Sequence, residues 1–401
     1  MISNDKSSSP MLDNTSESPQ MLSDNTRLYL EQLNGYAGGN GKPASTERPV
    51  SKHSWWNAPV VVLFIAVICM VGMVSFGFGA SSTGASNSSS STASSSSSST
   101  MSSSSSDTNA IPANIPDSPY QYGGLPAKYV IDPDGAKHFT LTAEQVKWYP
   151  VKGGQPVLAW SINGMVPGPQ IEVTAGDHLH FTFINHFPAA SAVHWHGLLL
   201  PTSEDGVPGL GMKPVQPGQT YVYDFYVHDQ DVGTHWYHSH YNDMVQVPGG
   251  FYGAFIVDPR PGTPQYQQQI KADVTYTEFI SEMGPYYVIN GKSFPDTQPI
   301  QVKHGQTVHV RLIGASEMIH PMHMHGHTFN IVAEDGHMLA QPIQKDTVPV
   351  APGETYDLTF YAWASPGSIY PFHCHILSHL MNPGQTADEM GGLITLIEYA
   401  K

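Results

Sequence analysis

Residues 171–185, IEVTAGDHLHFTFIN, recur as residues 300–314, IQVKHGQTVHVRLIG, 129 positions later. A second pair of segments, VQPGQTYVYDFYV (215–227) and VAPGETYDLTFYA (350–362), is separated by 135 positions. Apolar and polar side chains alternate in all four segments, and Gly and Pro lie at the turns, which is typical of half-buried β-strands. The sequence therefore predicts an all-β protein that contains two copies of one sandwich or barrel domain.

The repeat also predicts where the two domains lie. Alternating runs occur between about residue 125 and the end of the chain, and folded sequence is expected from about residue 120. The segment DPRPGTPQYQQQ (258–269) interrupts the alternation between the two copies. We therefore expect domain 1 over residues 121–262 and domain 2 over residues 263–401.

The first 120 residues differ in composition from the rest. Residues 1–55 have no lasting hydrophobic period, which predicts a disordered tail. Residues 59–80 contain 22 residues without a charge, enough to span a bilayer core, so that 56–80 is predicted to be a transmembrane helix. Residues 81–120 form a predicted flexible linker, because 18 of the 26 residues in 81–106 are serine.

Charge and aromatic residues predict the orientation of this segment. Trp55 and Trp56 lie at its leading edge, where interfacial aromatics are expected, and the first basic residue after it is Lys128. The basic residues nearest before it are Lys42, Arg48 and Lys52. The positive-inside rule predicts a single-pass cell-membrane protein with a cytoplasmic tail and extracytoplasmic domains. A cleaved signal peptide is the alternative, but its charged region would exceed 50 residues.

The chain is acidic, with 17 Lys and Arg against 33 Asp and Glu and a net charge of −16. Nucleic-acid binding requires a basic surface, so this charge excludes that class of partner. It does not identify a substrate.

Histidine is unusually abundant, with 21 residues. The repeats contain four His-x-His pairs: His194 and His196, His238 and His240, His323 and His325, and His373 and His375. Each pair projects from one face of a strand because side chains alternate with period two. Eight imidazoles exceed the needs of one mononuclear site and suit a cluster of two or three copper ions. Structural roles are predicted for His138, His178, His180, His186, His228, His304, His309 and His337.

Only two cysteines are present, and Cys69 lies inside the apolar segment, so a disulfide with Cys374 is not expected. Cys374 lies within one His-x-His pair, with His379 after it and His320 upstream. One thiolate, two imidazoles and a weak thioether define a blue-copper site. Domain 1 has Ser239 at the matching position, so only domain 2 can form this site.

Cys374 also suggests a mechanism. Its sulfur would bind the blue copper, while His373 and His375, on the opposite face of the strand, would bind the cluster. Electrons would then have a short covalent route to the cluster, and four transfers match the reduction of dioxygen to water.

Four motifs occur in order: HWHG (194–197), WYHSH (236–240), HPMHMHGH (320–327) and HCHILSH (373–379). They resemble the motifs of multicopper oxidases, and the arrangement resembles the small two-domain laccases. The resemblance implies two cupredoxin-like (Greek-key β-sandwich or barrel) domains and four copper ions per active unit. It implies type 1 copper on His320, Cys374 and His379, and type 2 copper on His194 and His323. It implies a type 3 pair on His196, His238, His240, His325, His373 and His375.

Further assignments follow from the resemblance. Asp205 matches an acidic residue that delivers protons to the cluster, although Ser378 stands where some relatives have a second carboxylate. The usual axial position is Gly384, so Met390 is the predicted axial ligand, and Met381 is the alternative. His235 and His327 are predicted to support the ligands rather than bind metal.

The resemblance implies a laccase-like, copper-dependent oxidoreductase that couples oxidation of a small reducing substrate to dioxygen reduction. The substrate could be a phenolic or other organic compound, or a metal ion held by residues near the blue site. The candidates for the latter are Glu317, Met318, Met322, Asp388 and Glu389. The resemblance further implies a homotrimer with the cluster between subunits.

Two other functions fit the sequence less well. A copper nitrite reductase has the same two-domain organisation but carries its blue-copper cysteine in the first domain, where this chain has none. A non-enzymatic copper or electron-transfer protein would need one metal site, not eight additional histidines.

Overall fold

The computed structural model describes residues 111–386 and 388–401. The predicted tail, the predicted transmembrane helix and most of the predicted linker lie outside these residues. No helix within the described part of the chain is long and apolar enough to cross a membrane.

The first group of strands forms two facing antiparallel-rich sheets. One sheet has the order β1-β2-β5-β7 with β3 added on β2, and the other has the order β4-β9-β8-β6. The strands are β1 (Tyr129–Ile131), β2 (Lys137–Trp148), β3 (Val157–Ile162), β4 (Ile171–Thr174), β5 (His178–Asn185), β6 (Val193–His196), β7 (Thr220–Tyr226), β8 (Gly233–Ser239) and β9 (Tyr252–Asp258). Two short helices follow β8 and β9, α1 (Asp243–Gln246) and α2 (Pro264–Gln268).

The second group repeats this plan. Its sheets have the orders β11-β10-β13-β18-β15-β16 and β12-β20-β19-β14-β17. The strands are β10 (Val274–Met283), β11 (Tyr286–Ile289), β12 (Ile300–Val302), β13 (Thr307–Gly314), β14 (His320–Met324), β15 (Phe329–Glu334), β16 (His337–Lys345), β17 (Thr347–Val350), β18 (Thr355–Tyr361), β19 (Ile369–Cys374) and β20 (Ile394–Tyr399). The prediction of an all-β, cupredoxin-like architecture is confirmed.

Matching strand pairs show the repeat in three dimensions. In the first group β2 lies parallel to β5 and β4 parallel to β9; in the second, β10 lies parallel to β13 and β12 parallel to β20. All other named pairs within the described residues are antiparallel. In each group the first and last strands lie in different sheets, and the two sheets pack as a sandwich. The His-x-His pairs lie on or directly after β6, β8, β14 and β19.

Apolar side chains form a core in each group and a third core between them. The third core includes Trp148 and Trp236 from domain 1 and Phe279 and Val288 from domain 2, all buried. Burial of about 25 cal/mol per Å² makes such a layer a strong attachment, so the two groups pack as one unit.

Residues at the end of the predicted linker contact domain 1. The Ser118 N–H donates to the Lys147 carbonyl, and the Lys147 N–H donates to the Pro116 carbonyl. Ordered structure thus begins before residue 120, because an extended segment adds main-chain hydrogen bonds along β2.

Candidate metal centres

His320, Cys374 and His379 meet in a buried pocket of domain 2, here called the cysteine set. His320 begins β14, Cys374 ends β19, and a 3-10 turn at Leu377–Leu380 presents His379. The Cys374 Sγ lies 3.7 Å from Nδ1 of each histidine, and the two Nδ1 atoms are 3.1 Å apart. All three residues are buried.

These distances fit one metal ion. Metal–ligand bonds of about 2.0–2.3 Å at angles of about 100–120° give ligand–ligand edges of about 3.1–4.0 Å. Two nitrogens and one sulfur in a trigonal array form the donor set of a blue-copper site. Burial raises the pKa of the Cys374 thiol to about 11, so metal binding at neutral pH would displace its proton. The Ile376 N–H donates to the Cys374 Sγ at 3.4 Å and would support the thiolate.

Glu282 and Tyr287 complete the surroundings of the cysteine set and were not predicted from the sequence. The Nε2 of His320 lies 3.1 Å from the Glu282 Oε1 and 2.7 Å from the Ser316 Oγ. Burial raises the pKa of Glu282, but hydrogen bonds from His320 and Ser316 more than offset it, so the pKa is lowered. Tyr287 stacks on His379 with ring centroids 4.0 Å apart. The sequence signal for Glu282 was a carboxylate near the end of β10, between the apolar pair Phe279-Ile280 and Met283.

The domain 1 histidine set consists of His194, His196, His238 and His240. His194 is paired with His238 across β6 and β8, and the His196 Nδ1 lies 3.2 Å from the His238 Nε2. The rings of His194 and His240 are 5.3 Å apart. Burial and neighbouring imidazoles lower the pKa of His196 to about 4 and that of His238 to about 3. Both rings are therefore neutral at physiological pH, the form that binds metal.

The domain 2 histidine set consists of His323, His325, His373 and His375. His323 is paired with His373 across β14 and β19, and the Nε2 atoms of His325 and His373 are 2.9 Å apart. The rings of His323 and His375 are 5.6 Å apart. His325 and His375 are exposed.

Both sets are oriented in the same way. In each, two imidazoles donate from Nδ1 to a backbone carbonyl at 2.7–2.9 Å: His194 to Asp205, His238 to Ser239, His323 to Asp346 and His373 to Cys374. A carbonyl can only accept, so Nδ1 carries the proton and Nε2 presents its lone pair. In these four histidines Nε2 is the atom available to metal, whereas His196 directs its Nδ1 at the Nε2 of His238.

Asp205 lies beside the domain 1 histidine set. Its Oδ1 is 3.5 Å from the His194 Nδ1, while its carbonyl accepts the hydrogen bond from that ring. The following Gly206 has φ +79°, and a Cβ there would lie 1.7 Å from the Val193 carbonyl oxygen. Only glycine allows this approach, which holds Asp205 against β6.

The two candidate axial ligands differ in exposure. The Met390 side chain is 62% exposed on the loop before β20, whereas Met381 is half-buried. Met390 as axial ligand stays a prediction, with Met381 as the alternative. Met322 is buried in the domain 2 core, so it is unsuited to hold a substrate metal ion.

His235 and His327 both use their ring nitrogens in hydrogen bonds. The Nε2 of His235 donates to the Asp231 carbonyl at 2.8 Å. The Nδ1 of His327 donates to the His325 carbonyl at 2.9 Å, and its Nε2 lies 2.6 Å from the Tyr399 hydroxyl. These contacts position the loops after β14 and before β8, and both ring nitrogens of His327 are engaged in them.

The two histidine sets do not meet within one chain. No hydrogen bond or ring contact joins them in residues 111–386 and 388–401. The domain 1 set instead lines a cavity of about 360 Å³ whose other wall includes Gly314–Glu317 and Gly353 of domain 2. Each set is therefore half of the predicted cluster.

Two cupredoxin-like domains, a buried Cys-His₂ site and two histidine sets define a copper protein with both mononuclear and cluster ligands. Two multicopper oxidase family models match the chain, one over residues 142–262 and the other over residues 259–383. The structure is similar to a blue copper oxidase from Nitrosomonas europaea, with 34% identity and a TM-score of 0.59 over 65% of this chain and 85% of the other. The chain belongs to the multicopper oxidase family, whose members carry type 1, type 2 and type 3 copper.

Other relatives show how much of the chain is shared. The structure of the multicopper oxidase mgLAC matches with 34% identity and a TM-score of 0.58, over 65% of this chain and 86% of the other. Laccase-15 of Oryza sativa subsp. japonica is 32% identical over 243 residues, which cover 52% of this chain and 39% of that protein. The chain thus spans about two fifths of the length of the curated laccases it matches.

Proposed function

We propose that this protein is a laccase-like oxidase that couples one-electron oxidation of a small organic substrate to reduction of dioxygen to water. The position of Cys374 carries the proposal. Its sulfur faces His320 and His379 in the buried pocket. Its sequence neighbours His373 and His375 point the other way and belong to the domain 2 histidine set, beside His325 and His323. When bound, copper would supply one-electron transfer, and four electrons from the substrate with four protons from solvent would convert one dioxygen into two waters.

The protein residues hold and connect the sites. The cysteine set would hold type 1 copper, and the two histidine sets would hold the cluster. The Cys374 carbonyl accepts the Nδ1 proton of His373 at 2.7 Å, so one residue belongs to both the thiolate site and the support of the cluster ligands. This gives a covalent and a hydrogen-bonded connection between them.

Asp205 would manage protons beside the cluster. Its side chain is one-third exposed and lies next to His194, so it is open to water on one side and to the histidine set on the other. A carboxylate in this position can accept a proton from solvent and release it toward the site.

The cluster is proposed to form between subunits of a homotrimer. Each chain presents two separate halves, and the exposure of His325 and His375 leaves the second half open to solvent in a single chain. Apolar side chains surround the first half, including Met244 in α1, which is 79% exposed. A head-to-tail contact that joins the domain 1 set of one subunit to the domain 2 set of the next would cover both and close a ring.

The surface near the cysteine set favours an organic electron donor. His320 and His379 are buried, and two exposed apolar side chains lie within two residues of them in sequence: Ile319, and Leu377, which is 68% exposed. Tyr287 covers one face of His379. An apolar rim beside a redox site suits a phenolic ring better than a hydrated metal ion.

Oxygen uptake by the copper-loaded full chain with a dimethoxyphenol tests the proposal. We expect one dioxygen consumed per four phenols oxidised, with no hydrogen peroxide. A blue protein without dioxygen uptake would indicate an electron-transfer protein, and nitrite reduction in its place would indicate a nitrite reductase.

Metal-ion oxidation is tested with Fe(II) as donor and with Glu317→Ala and Glu389→Ala variants. Both side chains are exposed. Glu317 lies three residues before His320, and Glu389 lies ten residues after His379. We expect phenol oxidation to persist in both variants. The protein would instead be a metal oxidase if wild type oxidised Fe(II) faster than phenol and the two variants lost only the oxidation of Fe(II).

We also propose that residues 56–80 anchor the protein as a single-pass helix with both domains on the extracytoplasmic side. The support is the uncharged 22-residue segment and the basic residues before it. The full chain should require detergent for extraction, and deletion of residues 59–80 should release it. A mature chain that begins after residue 80 would show that the segment is a cleaved signal peptide.

A further inference from the structure

A second group of potential metal ligands lies on the outer face of the first sheet of domain 1. His138, His180 and Asp224 occupy one cross-strand row on β2, β5 and β7. His178 lies two residues before His180 on the same face of β5. The turn between β1 and β2 adds Asp132 and Asp134. Both β5 histidines were predicted to be merely structural.

Asp132 holds His180 in one orientation. Its Oδ2 accepts from the Nδ1 of His180 at 2.7 Å and from the Nδ1 of His138 at 2.9 Å. With the proton on Nδ1, the Nε2 of His180 presents its lone pair. A carboxylate that binds the far nitrogen of an imidazole is the usual support for a metal-binding histidine.

His178 is held in a similar way. Its Nε2 donates to the Asp224 Oδ1 at 2.6 Å, and its ring stacks on Tyr226 with centroids 4.2 Å apart and planes inclined by 6°. The Nδ1 of His178 therefore carries a lone pair, and it faces Asp134.

The ligand atoms of His178, His180 and Asp134 all lie within 4.8 Å of one another, which is the spacing of a coordination shell. The Nε2 of His180 lies 3.6 Å from the Asp134 Oδ2 and 3.5 Å from the Asp224 Oδ1, and the Nδ1 of His178 lies 3.8 Å from the Asp134 Oδ2. These separations are too long for hydrogen bonds. They are close to the edge of about 3.4 Å that a tetrahedral ion with bonds of about 2.1 Å requires.

We infer that His178, His180 and Asp134 bind a divalent transition-metal ion, with water completing the coordination and Asp224 holding His178 through its Nε2. Two imidazoles and carboxylate oxygen suit Zn²⁺, which serves as the probe. The side chains of Asp134 and Asp224 are 49% and 60% exposed, so the ion can enter from solvent. None of these residues belongs to the cysteine set or to either histidine set. The bound ion would fasten the β1–β2 turn to the sheet.

The test is metal content and Zn²⁺ affinity of the copper-loaded full chain. The protein is dialysed against Zn²⁺, and total copper and zinc are counted per chain. Wild type should hold one more ion than His178→Ala or His180→Ala. Asp132→Asn, which removes support for His180 but no ligand, should bind Zn²⁺ about 10–100-fold more weakly.

His186→Ala is the matched control, because His186 is exposed, follows β5 directly and lies outside this group. It should bind the extra ion as wild type does. The blue absorption of all variants reports correct folding. Zinc should raise the thermal midpoint of wild type and of His186→Ala, raise that of Asp132→Asn less, and leave those of His178→Ala and His180→Ala unchanged. Equal metal content in wild type and both ligand variants would overturn the inference and leave these contacts as surface ion pairs.

Discussion

Cys374 is the residue at which the candidate metal sites meet, because its side chain enters the cysteine set and its carbonyl supports His373. Replacement by serine removes the only sulfur ligand identified there. Cys374→Ser should abolish the blue absorption and lower the copper content by about one ion per chain, while the cluster stays largely loaded. Visible spectra and metal analysis measure both effects. Retained blue colour would refute the assignment of the thiolate ligand.

Glu282 should tune the cysteine set through His320. Its lowered pKa makes it an anion at neutral pH, 3.1 Å from the His320 Nε2. A negative charge here favours the oxidised, more positive metal site. Glu282→Gln keeps the shape but removes the charge, so the reduction potential of the blue site should rise in a redox titration. An unchanged potential would limit Glu282 to a packing role.

The raised pKa of Glu278 predicts that the stability of the protein depends on pH. Burial raises its pKa to about 8, and the Asn290 side chain donates to its Oε2 at 2.8 Å. A raised pKa in the folded state means that the folded protein binds this proton more tightly than the unfolded chain does. The resulting contribution to the free energy of unfolding is complete below about pH 4 and is lost as the pH rises to about 8. The loss amounts to as much as about 5 kcal/mol.

Glu278→Gln should remove that dependence. The thermal midpoint of the variant relative to wild type should therefore be higher at pH 9 than at pH 6, with copper content held equal. Parallel midpoints of the two proteins across this range would show that Glu278 ionises without cost to folding.

At the scale of elements, a buried ion pair fastens β8 of domain 1 to β13 and β18 of domain 2. The Asp357 Oδ1 accepts from Thr234 at 2.8 Å and from Arg311 at 3.2 Å, and it lies 2.6 Å from the His309 Nε2. Asp357→Ala would leave the Arg311 charge unpaired, at a cost of about 3–5 kcal/mol.

The exposed pair of Arg260 and Asp229 is the matched control, since water screens it. Arg260→Ala should change the free energy of unfolding little. Denaturant unfolding of both variants measures the contrast. Comparable effects of the two substitutions would mean that the buried pair contributes no more than a surface pair.

Strand positions followed from alternation, but strand ends depended on turns. The run Ile171–Asn185 forms two strands, β4 and β5, because Gly176 turns the chain with φ +93°. Gly305, also at φ +93°, divides Gln301–Ile313 in the same way. The hairpin of β15 and β16 was not predicted, although Asp335-Gly336 is a typical two-residue hairpin turn with both φ values positive.

At the scale of the whole molecule, the proposed shared cluster predicts complementation between inactive variants. His238→Ala damages the domain 1 histidine set and His325→Ala damages the domain 2 set, and each should stop oxygen reduction while the blue site persists. In co-expressed mixed trimers, some contacts join an intact domain 1 set to an intact domain 2 set. Random assembly from equal amounts makes this about one contact in four, so about a quarter of wild-type oxygen uptake should return.

A second mixture provides the control. His238→Ala with His196→Ala damages the domain 1 set in every subunit, so no contact is intact and no uptake should return. Activity in neither mixture would place both halves of the cluster in one chain, and a monomeric protein in sedimentation would lead to the same conclusion.

Local pattern determined the fold class, the repeat and the ligand types. A His-x-His pair places two rings on one strand face whatever the rest of the fold, because that depends only on the period of a strand. The same logic predicted the opposite facing of Cys374 and its flanking histidines.

Tertiary structure alone decided the partners of those ligands. Glu282 and Tyr287 reach the cysteine set from β10 and β11, and Asp132 and Asp134 reach His180 from a turn more than 40 residues away. The separation of the two histidine sets likewise depends on how the domains pack through their shared core. Register and domain packing arise from contacts between residues distant in sequence, which no local period encodes.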